Sequence, residues 1–99
     1  MRCQVVVTDS HIENGVRGDC ERCMVANAIR PLLRPNATLE VYVDGVDFRN
    51  REGDWEFRAF PARVQSKIER WDETGKARRF AFVLDIPDQF LKPTITQGN

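Results

Sequence analysis

The sequence has no surplus of charge. Lys and Arg number 15, Asp and Glu also 15, and the formal net charge at neutral pH is zero. No global field therefore draws the chain toward nucleic acid or a membrane surface. No stretch approaches the roughly 20 consecutive apolar residues of a membrane-spanning helix. The three valines at residues 5–7 are too few for the apolar core of a secretory leader, so none is expected. Histidine occurs once, and cysteine three times, an odd number that does not suit the paired framework of a small secreted protein. Free thiols in a cytoplasmic protein are the simplest expectation. A glycine-rich phosphate loop is missing too. GVRG, residues 15–18, is short and lacks the Lys-Ser/Thr ending. There are no repeats and no low-complexity tract.

What is present fits one globular domain. The chain has 99 residues, 41% of them hydrophobic and 30% charged, ordinary values for a folded domain. The domain is expected over residues 1–90, with 91–99 as a flexible tail. QVVVT, residues 4–8, is β-branched and continuous and predicts a strand buried on both faces. Thr8 or Asp9 is placed to cap a short helical turn containing His11, which ends at Asn14-Gly15. Asp19 is a suitable N-cap for a helix from Cys20 to about Arg30, where Pro31 stops it.

The apolar period then changes from helical to alternating. Residues 39–43 place Leu39, Val41 and Val43 on one side of a strand, and Asp44-Gly45 turns the chain into a second arm at 46–48. Residues 55–60 alternate again, which predicts Trp55 and Phe57 inside and Glu56 and Arg58 outside. A helix follows Pro61 and runs to about Thr74, with Val64, Ile68 and Trp71 as its buried stripe and Gly75 as its cap. Residues 79–86 form the last strand. The order β-α-α-β-β-β-α-β predicts an α+β, two-layer domain, with a mostly antiparallel or mixed sheet and helices on one side. Trp55 and Trp71 are assigned to the core, whereas an exposed Trp on a sheet edge would be an interface anchor.

The chemistry concentrates in GDCERC, residues 18–23. A cysteine at a helix opening meets unpaired amides and the positive end of the dipole, which favours thiolate. Arg17, Asp19, Cys20 and Cys23 thus form a candidate functional loop. As a redox pair, Cys20 and Cys23 would act as a dithiol, although the loop and helix before them depart from the thioredoxin arrangement. As a zinc half-site they would need Cys3 and His11 to complete four ligands. Without such ligands no cofactor is expected. The plain alternative is a partly buried thiol pair supporting the loop. For His11, a satisfied capping role is expected over acid or base work.

A second candidate is basic. Arg63, Lys67 and Arg70 recur along one side of the predicted helix, and Lys76, Arg78 and Arg79 follow it. They could receive phosphates of a nucleic acid or an acidic protein surface. Glu69, Asp72 and Glu73 share the helix, which also fits an ordinary solvated face. The first hairpin leans acidic, an asymmetry that would steer a protein partner or support a homodimer.

The segment HIENGVRGDCERCMVANAI resembles one found in short uncharacterised proteins of bacteria and their phages. Its matching residues are His11, Ile12, Gly15, Arg17, Gly18, Cys20, Cys23, Ala26, Ala28 and Ile29. Met24 stands where that pattern usually has proline. FPARVQSKIERWDETGKARRFAFVLDI is similar to the second half of such proteins. No activity comes with the resemblance. It implies a non-enzymatic phage or prophage accessory protein that binds and modulates a host or phage protein, in the host cytoplasm if a phage encodes the chain.

Overall fold

The computed structural model describes residues 1–93. Strand β1 (Arg2–Val7) leads through helix α1 (Asp9–Glu13) and a long turn into α2 (Met24–Ile29). A 3-10 turn (Arg30–Leu32) then joins strands β2 (Ala37–Val41), β3 (Gly45–Asn50) and β4 (Trp55–Ala59). Helix α3 (Ala62–Thr74), strand β5 (Phe80–Asp85) and a 3-10 turn (Asp88–Phe90) complete the order. This is the small α+β domain that the sequence predicts. Its strands are all antiparallel and fall into two sheets, β1-β5 and β2-β3-β4. No helix among the described residues is long and apolar enough to cross a membrane.

One core joins the layers. Val5 and Val7 of β1, Phe82 and Leu84 of β5, Met24, Val25, Ala26 and Ile29 of α2, and Val46 and Phe48 of β3 are all buried. Helix α3 closes it with Val64, Ile68 and Trp71, the stripe expected from their spacing. The rings of Phe48 and Phe90 stack at 5.5 Å, and those of Phe60 and Phe82 meet edge-on at 5.6 Å. Gly15 sits tight against this core. A Cβ there would come within 2.9 Å of both the Met24 amide nitrogen and the Trp71 ring. The Asn14-Gly15 step therefore ends α1 and also lets the loop close on α3. Gly75, in the left-handed conformation at φ 72°, ends α3.

Three expectations change. First, β1 is covered on one face only. Val6 and Val83 lie about half exposed on the outer side, because the β1-β5 ribbon has nothing packed there among the described residues. Second, the helix expected from Cys20 begins at Met24. The Asp19 carboxylate accepts the Glu21 and Arg22 amides at 2.9 and 3.1 Å, and its carbonyl accepts the Cys23 amide at 3.0 Å. Those bonds stabilise a separate turn, and Cys23 becomes the N-cap.

Third, β4 is inverted. Trp55 is 61% exposed and Phe57 43%, while Glu56 and Arg58 face inward and are half-buried. The hairpin register dictates this. Glu56 pairs with Phe48 and Arg58 with Val46, and paired residues share a face. Once Phe48 and Val46 enter the core, Glu56 and Arg58 must stand on the same side. Val43 likewise leaves the side of Leu39 and Val41, since it belongs to the turn. At the other end, Leu91 bridges to Leu33 and the Lys92 amide donates to the Leu32 carbonyl. Most of the expected tail, residues 94–99, lies outside the described residues.

Candidate functional site

The thiol loop has a geometry opposed to activation. Cys23 is buried, 8% exposed, and belongs to the core beside Ala26. Burial pushes its thiol pKa up, and the Ala26 and Val25 amides pull the other way without prevailing. Cys20 is half-buried against the edge of β2, where its carbonyl accepts the Val41 amide at 2.8 Å. Its Sγ lies 3.8 Å from Glu40 Oε2. Desolvation raises its pKa, and the carboxylates of Glu40, Glu21 and Asp19 add to the rise. The predicted lowering of these thiols is therefore reversed. The helix dipole fails as an activator because the helix is one short turn beyond Cys20 and opens with the buried Cys23.

Arg17 does not face the thiols. Its Nη1 donates to the Asp72 carbonyl at 3.2 Å, so it ties the loop to the last turn of α3. His11 closes a capping box with Thr8, its backbone N–H donating to Thr8 Oγ1 at 3.3 Å and its ring Nδ1 accepting the Thr8 amide at 3.0 Å. Cys3 stands in β1, opposite Leu84. Among the described residues no group of three or more His, Cys, Asp or Glu side chains is placed to hold a metal ion. Cys3, His11, Cys20 and Cys23 are thus not gathered into a zinc site.

The basic residues are gathered better. Lys67 and Arg70 of α3 and Lys76 and Arg78 of the segment beyond Gly75 line one open groove of about 520 Å³, with Ala77 between them. Two separate pieces of chain supply these cations, because Gly75 turns the backbone back along the helix. The Lys67 ammonium lies 5.2 Å from the centre of the Phe80 ring, a cation–π contact that fixes one wall. Among the described residues none of the four lies in an ion pair. The other two predicted members are elsewhere. Arg63 donates to the Ala81 carbonyl at 2.9 Å, and Arg79 lines a separate depression with Val6, Thr8 and Phe80.

The opposite sign appears on the outer face of the β2-β3-β4 sheet. Glu21, Glu40 and Asp47 line a smaller depression of about 220 Å³ with Thr38 and Arg49. Next to it lie the exposed aromatic rings of β4, with the Arg49 guanidinium 5.4 Å from the centre of the Trp55 ring. Phe57 lies across Gly45, where a Cβ would come within 2.4 Å of its ring. Comparison with protein-family models, with curated proteins and with solved structures finds no match for the chain.

Proposed function

We propose that this chain is a non-enzymatic binding module that takes a short acidic segment of another protein in the groove between α3 and residues 76–78. This agrees with the accessory role, in a phage or prophage setting, that the sequence resemblance implies. The observation that carries the reading is the convergence of Lys67, Arg70, Lys76 and Arg78 on one groove with no acid among the described residues paired to them. Four like charges held close repel one another, and an anionic ligand relieves that repulsion.

A protein segment suits the groove better than a nucleic acid. The basic lining is short, with exposed Glu69 between Lys67 and Arg70 and exposed Asp72 and Glu73 following on the same helix. A long polyanion would meet more of these acids than a segment of a few carboxylates. A thiol enzyme is disfavoured because both raised pKa values leave Cys20 and Cys23 protonated near neutrality.

Titration with an oligo-glutamate peptide tests the reading, with duplex and single-stranded DNA as separate arms. Peptide binding should weaken as salt rises and should fall at least about tenfold in Lys67→Glu/Arg70→Glu. Binding unchanged by that charge reversal would refute the groove. Tighter binding of DNA than of peptide would replace the protein ligand with a nucleic acid.

A further inference from the structure

The free edge of β4 carries a self-complementary pattern. In the β3-β4 pair, the Phe60 amide donates to the Asp44 carbonyl at 2.9 Å and the Asn50 amide to the Asp54 carbonyl at 3.3 Å. Antiparallel bonding alternates along a strand. The backbone groups of Glu56 and Arg58 therefore point toward β3, and those of Trp55, Phe57 and Ala59 point outward. Among the described residues no backbone group of another segment bonds to these outward groups. The Phe57 carbonyl accepts only Arg58 Nη1 of its own strand, at 3.0 Å.

We propose that β4 pairs with β4 of a second copy, antiparallel and across a two-fold axis at Phe57, to make one continuous six-stranded sheet. An antiparallel mate must bond through the outward groups, which allows only registers that match Trp55, Phe57 and Ala59 among themselves. Three two-fold registers bring two or more of these residues into pairing. An axis at Glu56 sets Glu56 against its own copy, and an axis at Arg58 sets Arg58 against its own copy. Both place like charges directly opposite, which is destabilising. An axis at Phe57 sets Glu56 opposite Arg58 of the second copy, twice by symmetry. These are the non-hydrogen-bonded positions, where facing side chains approach most closely.

The other face agrees. The same register sets Phe57 against Phe57 and Trp55 against Ala59 of the second copy, covering the two most prominent aromatic rings of the sheet. Glu56 and Arg58 already form an ion pair at 3.1 Å within one strand, with side chains 43% and 33% exposed. In the dimer the two pairs join into a four-membered network, and Arg58 exchanges its Phe57 carbonyl for a carboxylate. An isologous contact of this kind closes on itself, so it ends at two copies.

Sedimentation of the full chain over a concentration series tests the pairing, with far-ultraviolet circular dichroism to check that each variant is folded. The wild type should shift from monomer to dimer. Glu56→Arg sets Arg against Arg, and Arg58→Glu sets Glu against Glu, so either alone should weaken self-association at least about tenfold. An equal mixture of the two variants restores opposite charges at both positions and should form a mixed dimer. A wild type that stays monomeric up to about 1 mM, the weak end of specific association, overturns the proposal. So does a dimer that either single variant leaves intact, or a mixture that fails to associate. Peptide binding in the α3 groove is read separately, so failure of one does not imply failure of the other.

Discussion

Phe48 and Phe57 stand on neighbouring strands of one three-stranded sheet, yet their surroundings differ completely. Phe48 is fully buried and stacks on Phe90. Phe57 is 43% exposed and lies over a glycine. The same contrast separates the sheet edges. On β2 the Val41 amide donates to the Cys20 carbonyl at 2.8 Å and the Ala37 amide to the Arg34 carbonyl at 3.0 Å. On β4 only Arg58 of the same strand intervenes. Natural sheets usually obstruct their edges. An edge left open and furnished with aromatic rings and alternating charges points to pairing, whereas an edge closed by a neighbouring segment serves the monomer alone.

Substitutions can break or sharpen this comparison. The largest effect is expected from Phe48→Ala, which should cost about 3–5 kcal/mol of unfolding free energy in a denaturant titration. A loss under 1 kcal/mol (roughly the cost of an exposed site) would show that the inner face is not the main core. Gly15→Ala comes next. Its methyl group has no room beside Trp71 and the Met24 amide, and about 1–3 kcal/mol should be lost. Phe57→Ala should change monomer stability by less than about 1 kcal/mol while removing self-association. If it instead unfolds the chain as Phe48→Ala does, the two faces are not distinct.

The smallest effect concerns pH. Cys23 has a raised pKa in the folded state, so the fold favours its neutral thiol. That contribution is fully present below the ordinary thiol pKa of about 8.5 and is lost as pH rises through the folded value. Stability should therefore decline on the alkaline side, with a gentler slope in Cys23→Ala. An equal slope in both would assign the decline to other groups.

Much of the architecture was legible in the residues, because periodicity and capping are local. Val64, Ile68 and Trp71 announced their face, Gly75 its cap, and Thr8 or Asp9 the cap of the first turn, whereas the reciprocal bond from the His11 ring was not legible. What local patterns left undetermined was phase. The alternation of residues 55–59 fits either orientation, and apolar content favoured putting Trp55 and Phe57 inside. Pairing with Phe48 overruled it, and that constraint emerges only when the register of the hairpin is traced across the turn. The thiol loop misled for a related reason. Asp19 is a good cap for a helix, but the same side chain stabilises a separate turn equally well, and the difference took Cys20 off the helix opening and left Cys23, a core residue, to cap it. For the basic residues, helical spacing set Lys67 and Arg70 on one side, and both line the groove. It took the reversal at Gly75 to bring Arg78 beside them and send Arg79 away.

The pairing of β1 with β5 has a consequence for synthesis. Arg2 meets Asp85 and Val7 meets Phe80, so β1 waits for β5, more than 70 residues later in synthesis. Until residue 85 has left the ribosome, Val5 and Val7 have no mate, and the nascent chain carries an unfinished, greasy ribbon. Closure of this ribbon is therefore delayed and abrupt, and a truncated product lacking β5 should be captured by chaperones or cleared rather than accumulate.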